Sequence, residues 1–195
     1  MGRKRNENGS FIKRIAEGNN MIETEVKIKI DDNDEKRIRD FAESSCIFRE
    51  KVSINDIYLI HPCIDFSKTD EAVRIRIEST AGIEKVKITY KGKRNKDTDF
   101  KKREEIEFEV KASPNDVISF FLRNRYRVLC NIEKDREIYE CKGFYLMIDN
   151  VKDLGKYIEL EQIGKNEKSI QIFLESFNLK EKIEPLTYLE LIMKK

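Results

Sequence analysis

Ile22-Glu23-Thr24-Glu25-Val26-Lys27-Ile28-Lys29-Ile30 alternates between apolar and ionised side chains, with Thr24 the one break on the apolar side. A period of two marks a strand, and residues two apart share a face. Ile22, Val26, Ile28 and Ile30 therefore lie on one face, and Glu23, Glu25, Lys27 and Lys29 on the other. The habit recurs downstream. Val73, Ile75 and Ile77 oppose Arg74, Arg76 and Glu78; Ile106, Phe108 and Val110 oppose Arg103, Glu105, Glu107 and Glu109; Ile158 and Leu160 oppose Glu159 and Glu161. Strands are expected over 22–30, 57–60, 72–79, 84–91, 103–111, 131–139, 144–149 and 156–162. Few helices separate them, so the expected class is α+β with an antiparallel sheet, open or closed into a barrel, a choice that the period alone does not fix.

Helices are expected over 33–44, after Ser113-Pro114-Asn115-Asp116, over 167–177, and from Thr187. Ser113 with Asp116, and Thr187 with Glu190, have the spacing of a capping box, and Pro114 suits a first helical position. These helices need apolar partners. If they cover the outside of the sheet, its apolar faces point outward to them and the charged faces line a central tunnel. The alternative is a solvated charged face around an apolar core. The signs argue against that alternative: they are sorted by strand, Glu-x-Glu on some and Arg-x-Arg on another. An ordinary surface intersperses charges.

The chain has 195 residues, 39% charged and 39% hydrophobic, which fits one domain. The 39 Lys and Arg nearly cancel the 37 Asp and Glu, so no field for nucleic acid is implied and no such partner is expected. No apolar run approaches the ~18 residues of a membrane span. Residues 1–20 are polar and aperiodic and are expected to be a flexible tail ahead of a domain over 21–195; they lack the apolar segment of a secretory signal. The segment 92–101 is charged and expected to be mobile. His61 is the single histidine, so multi-histidine metal sites are impossible. Cys46, Cys63, Cys130 and Cys141 form no CxxC pair, which makes a zinc site improbable and a reducing cytoplasm the simplest setting; Cys63 is expected to be a small buried group. No phosphate-cradling glycine loop is present.

A tunnel of this kind has a chemical preference. Clustered Lys and Arg suit phosphate oxygens. Clustered carboxylates repel phosphate unless they hold a cation, and hard oxygen donors favour Mg2+ or Mn2+. Both in one cavity read as a site for a metal–polyphosphate complex.

The ordered motifs match a known family. Glu23-Thr24-Glu25-Val26-Lys27 fits ExExK, and Asp56-Ile57-Tyr58, Thr69-Asp70-Glu71-Ala72-Val73-Arg74-Ile75-Arg76, Thr89-Tyr90-Lys91-Gly92, Arg103-Glu104-Glu105-Ile106-Glu107, Lys134-Asp135-Arg136, Leu154-Gly155 with Glu159-Leu160-Glu161, and Thr187-Tyr188-Leu189-Glu190-Leu191 follow in order. Over about residues 22–192 the chain resembles the CYTH superfamily of triphosphate tunnel metalloenzymes, which includes class IV adenylyl cyclases, thiamine triphosphatases and inorganic triphosphatases. The resemblance implies an eight-stranded antiparallel β-barrel with helices packed on the outside, in whose tunnel Lys27, Arg74, Arg76, Lys91, Arg103, Lys134 and Arg136 bind triphosphate oxygens. It implies that Glu23, Glu25, Glu159 and Glu161 hold Mg2+ or Mn2+, with Glu105, Glu107 and Asp149 helping directly or through water. Lys27, Arg76 and Glu161 are the expected catalytic set. The implied substrate is tripolyphosphate, ATP or thiamine triphosphate, and the resemblance allows a homodimer.

Two activities follow from it: hydrolysis of a triphosphate, or conversion of ATP to cyclic AMP and pyrophosphate. The cyclase-like run over 69–76 favours the second; the lighter demand of reading phosphates alone favours the first. A non-catalytic polyphosphate-binding module is a third reading, which the carboxylates argue against. Glu78, Glu109 and Lys29 are expected to be solvated strand ends, Asp70 and Glu71 to serve the turn, and Tyr58 and Tyr188 to be packing residues with satisfied hydroxyls.

Overall fold

The computed structural model describes residues 21–95, 101–163 and 168–195. The expected tail over 1–20, the middle of the charged segment at 96–100 and the start expected for the third helix lie outside the described residues. Eight strands close into one antiparallel barrel: β1 (Met21–Lys29), β2 (Ile47–Ile60), β3 (Ala72–Thr80), β4 (Ile83–Lys91), β5 (Lys101–Val110), β6 (Arg127–Cys141), β7 (Phe144–Val151) and β8 (Gly155–Gln162). Their order around the barrel is β1-β5-β4-β3-β2-β6-β7-β8. β1 closes the ring, pairing over Met21–Glu25 with β5 and over Glu25–Lys29 with β8.

The helices cover the outside, as the need for apolar partners required. Helix α1 (Asp32–Ser45) begins at a reciprocal cap, where Asp34 N donates to Asp31 Oδ1 at 2.8 Å and the Asp34 carboxylate accepts from Asp31 N. Its Ile38 and Ala42 join Val26, Ile28, Leu146, Ile158 and Leu160 from the outer faces of β1, β7 and β8, together with Ile170, Phe173 and Leu174 of helix α4 (Lys168–Ser176). Several of these are fully buried. Each such side chain contributes about 1.5–3 kcal/mol, and Leu160→Ala would cost about 2–5 kcal/mol. Helix α3 (Pro114–Arg123) covers Ile57, Leu59, Ile75 and Val86 with Val117. Its Ser113 caps Asp116 N at 3.2 Å, but the Asp116 carboxylate accepts from the Ser113 hydroxyl, so the box expected there is only half formed. A short helix α2 (Phe66–Thr69), a 3-10 turn (Lys180–Lys182) and the C-terminal helix α5 (Tyr188–Met193) complete the chain. At α5 the box is complete: Glu190 N donates to Thr187 Oγ1 at 3.2 Å and Thr187 N to Glu190 Oε2 at 2.7 Å.

Two turns are set by glycine. Ala81 and Gly82, both at positive φ (50° and 82°), make the tight β3–β4 connection. Gly143 joins β6 to β7 at φ 94°, where a Cβ would fall 2.6 Å from Ser169 Oγ of α4.

Three expectations need correction. β2 starts at Ile47, ten residues before the stretch expected. Its apolar residues change face midway: Val52 and Ile54 look into the barrel, whereas Ile57 and Leu59 look out to α3, so no single alternation runs through it. Cys46 and Cys141 form a disulfide, brought together by the adjacent Ile47–Glu140 pairing of β2 and β6. Cys63 is exposed rather than buried, in the turn after β2.

Candidate functional site

The inward faces of all eight strands carry the charged residues, and they enclose a cavity of about 1480 Å3. Lys27, Arg74, Arg103, Lys134, Arg136 and Glu159 are buried in its wall with Asp149 buried behind them, Glu25, Arg76, Lys91, Glu105 and Glu161 line it half-buried, and the exposed Glu107 also lines it. Every expected site residue with a described side chain is thus on or behind this one surface. Glu23 pairs through its backbone with Arg103, but its side chain lies outside the described residues.

Register explains why charges sorted by strand are tolerable. Opposite signs meet across neighbouring strands: Lys27 faces Glu159, Asp56 faces Arg76, Lys91 faces Glu105, and Arg136 faces Asp149. Such pairs stabilise a sheet where like pairs would strain it. Glu25 and Glu161, directly opposite on β1 and β8, break the pattern.

Two buried aspartates organise the cations. Asp56, 2% exposed, accepts from Arg76 Nε at 2.7 Å and Nη2 at 2.8 Å, with Arg74 Nη1 at 3.5 Å. Asp149, 1% exposed, accepts from Arg136 Nε at 2.7 Å and Nη2 at 2.6 Å, and from Lys134 Nζ at 3.2 Å. Burial alone would raise both carboxyl pKa values, but the flanking cations outweigh it and hold each below the usual carboxylate range. Desolvation, reinforced by Arg136, lowers the Lys134 pKa despite Asp149 and Glu159. Arg136 also pairs with Glu159, Lys91 Nζ reaches Glu105 at 2.6 Å, and Arg74 Nη2 reaches Glu107 at 3.3 Å. Thr89 donates to Glu107 at 2.8 Å and accepts from Arg74.

Helix α5 closes one end. Tyr188 packs with Tyr58, Ile132, Val151 and Tyr157, and its hydroxyl donates to Asp149 at 2.9 Å. Burial and the nearby Asp149 and Glu159 push its pKa far up, so it stays a donor. Lys27 Nζ lies 4.0 Å above its ring centre. Tyr188 is thus a packing residue with a satisfied hydroxyl, as expected. The strand-end reading of Glu78 does not hold: Glu78 lines the cavity and accepts from Lys87 at 3.0 Å.

Arg94 had no role in the motifs. It donates through Nη2 to Asp70 at 2.7 Å and through Nη1 and Nη2 to Glu190 at 2.9 and 2.8 Å. It sits past the end of β4 in charged, aperiodic sequence, so only tertiary contact reveals it. Asp56 carried a legible signal, because it shares the inward parity of Tyr58.

Glu105, Glu107, Asp149 and Glu159 are engaged with cations. Glu25 and Glu161 present facing hard-oxygen donors, the chemistry a divalent cation requires, with Glu159 next along β8. Among the described residues no three acidic, histidine or cysteine side chains converge on one point. No described helix is long and apolar enough to cross a membrane.

Comparison with known proteins agrees with this architecture. A Methanocaldococcus jannaschii protein named "Putative adenylate cyclase" is 34% identical over 88% of this chain and 98% of its own. A Pyrococcus horikoshii structure shares 32% identity, covering 88% of this chain and 98% of the other with a TM-score of 0.77. A Hippeastrum structure, named "Putative adenylyl cyclase" and said to reveal a dominant triphosphatase activity, shares the fold at 17% identity, 89% and 95% coverage and a TM-score of 0.66. The CYTH domain model matches residues 21–188, so with the charged tunnel on view, this chain belongs to the CYTH family.

Proposed function

We propose that this chain is an enzyme that binds a triphosphate with Mg2+ or Mn2+ in the tunnel and hydrolyses its terminal phosphoanhydride. The observation that supports it is the pair of aspartate-anchored cation clusters, Arg74 and Arg76 on β3 and Lys134 and Arg136 on β6, in one cavity with the facing carboxylates of Glu25 and Glu161.

Lys27, Lys91 and Arg103 join those four cations in holding phosphate oxygens. Each charge-assisted contact is worth about 1.5–3 kcal/mol. Asp56 and Asp149 keep the guanidinium groups aimed, so little reorganisation is needed as charge spreads over the transferred group. Glu25, Glu159 and Glu161, with Glu23, are the proposed metal ligands; Glu105 and Glu107 act through the cations they hold. A bound divalent cation supplies Lewis acidity toward the phosphate oxygens. In the hydrolytic step a water oxygen bonds to the terminal phosphorus, the bridging P–O bond breaks, and the water's proton passes to an oxygen of the released phosphate. Lys27 and Arg76 stabilise the departing diphosphate end.

Cyclisation of ATP is the second reading, favoured by the name of the 34% identical relative. Incubation with ATP and Mg2+ or Mn2+, followed by separation of products, decides between them. Inorganic phosphate supports hydrolysis, cyclic AMP with pyrophosphate supports cyclisation, and unchanged ATP and tripolyphosphate would refute both.

A further inference from the structure

The helical coat around the barrel has a gap. Helices α1 and α4 cover the outer faces of β1, β7 and β8, and α3 covers those of β2, β3 and β4, reaching as far as Val110 of β5. Further along β5, Arg103, Glu105 and Glu107 line the cavity, so Ile106 and Phe108 point outward. They are 36% and 53% exposed and, among the described residues, belong to none of the apolar clusters. The strand edge is open at the same place. β4 pairs with β5 over Glu105–Val110, but among the described residues β1 pairs only with Lys101–Glu105, which leaves the other side of 106–110 without a strand.

The chain enters the barrel at this gap. Met21, where β1 begins, lies opposite Glu105, so residues 1–20 are tethered one residue from Ile106 in the register. Phe108 lies about 10 Å from Glu105 along β5. Six extended residues span about 20 Å, so Ile15 can reach Phe108. After Met1 the apolar residues of 1–20 are Phe11, Ile12, Ile15 and Ala16. The run is too short to register as a period, but this spacing puts all four on one side of two helical turns, between Ser10, a good N-cap, and Gly18, a good stop.

Charge selects the occupant. Arg3, Lys4, Arg5, Lys13 and Arg14 outnumber Glu7 and Glu17 in the segment, and Glu104, Glu107 and Glu109 of β5 are exposed. A second copy docked edge to edge would set those carboxylates against their own kind. We propose that residues 10–17 fold back as a short amphipathic helix over Ile106 and Phe108, completing the coat on β5, and that only residues 1–9 remain a free tail. The tether keeps the segment at high local concentration, so a small apolar contact holds it.

Trypsin reads the contact in the full chain, because Lys13 and Arg14 lie inside the segment and Arg3, Lys4 and Arg5 outside it. Cleavage at Lys13 and Arg14 should be at least about tenfold slower than at the outer three sites. Phe108→Ser, a change on the barrel, should remove that protection and leave the outer sites as they were. In the unaltered chain, nuclear Overhauser contacts should join the methyl groups of Ile12 or Ile15 to the Phe108 ring within one molecule. Equal cleavage at both sets of sites, or no such contact, would overturn the proposal. Contacts seen only between labelled and unlabelled molecules would overturn it in favour of a second copy.

Discussion

Asp56 and Arg76 are direct cross-strand partners on β2 and β3, and their side chains meet in a two-bond fork of 2.7 and 2.8 Å. Arg136 and Asp149 repeat the arrangement on β6 and β7. In both, a carboxylate deep in the wall holds an arginine whose neighbours are cations. The two forks let a barrel interior concentrate positive charge without letting the guanidinium groups repel one another out of position.

Removing one fork should therefore cost more than a surface ion pair. Asp56→Ala leaves Arg76 and Arg74 buried with their charge uncompensated, and the expected loss of unfolding free energy is about 3–5 kcal/mol. Urea denaturation measures it. A loss under about 1 kcal/mol, the range of exposed pairs, would show that the fork is solvated and not an anchor.

Lys27 is 1% exposed at the tunnel centre, opposite Glu159 and above the Tyr188 ring. Lys27→Ala should weaken triphosphate binding by about 1.5–3 kcal/mol, which is roughly 10- to 150-fold in Kd. Titration calorimetry with tripolyphosphate reads the change. An unaltered Kd would remove Lys27 from the phosphate contacts.

Glu190 links the cap of α5 to Arg94. Burial would raise its pKa, but the Arg94 pair and the Thr187 backbone and hydroxyl outweigh burial and bring it from an ordinary 4.5 to about 2. A carboxyl depressed on folding contributes stability that is full above its unfolded value and is lost as pH falls through its folded value. The Arg94–Glu190 brace should therefore stay closed at pH 4 and be half open near pH 2, while the stability it contributes falls away between about pH 4.5 and 2. The carboxyl carbon resonance of Glu190 should titrate near 2 and move toward 4.5 in Arg94→Ala. A midpoint near 4.5 in the unaltered chain would rule out the brace.

Much of this was legible in the residues. Alternation at Glu25-Val26-Lys27-Ile28 located β1, and the helices' need for apolar partners turned the barrel inside out. The cations of β3 followed, because parity on a strand decides which residues share a wall, whereas Lys134 and Arg136 of β6 came only from the resemblance of Lys134-Asp135-Arg136 to a family motif. The first half of β2 did not, since Val52 and Ile54 face inward and Ile57 and Leu59 outward. Arg94 and the Cys46–Cys141 bond depend on contacts between distant segments, 95 residues apart for the cysteines, which no local pattern encodes.

The disulfide ties the end of α1 to the end of β6 and closes a long loop, so it should stabilise the chain by about 2–4 kcal/mol. Thiol titration of the denatured, unreduced chain should find the two free cysteines, Cys63 and Cys130, and reduction should expose all four. Cys46→Ser with Cys141→Ser should lower the urea midpoint by a corresponding amount. Four reactive thiols before reduction would show that the bond does not form.

Glu25 and Glu161 face each other with like charge, whereas Asp149 is saturated by Arg136, Lys134 and Tyr188. If the facing pair holds the cation, Glu161→Gln should raise the Mg2+ or Mn2+ concentration needed for half-maximal turnover by at least about tenfold, since even groups behind a metal ligand shift affinity that much. Asp149→Asn should instead lower stability and weaken triphosphate binding, through the loosened Arg136, while the metal midpoint stays put. Metal titrations of turnover in both variants give the answer. An unmoved midpoint in Glu161→Gln, or a shifted one confined to Asp149→Asn, would place the metal on the β6–β7 side of the tunnel and not between β1 and β8.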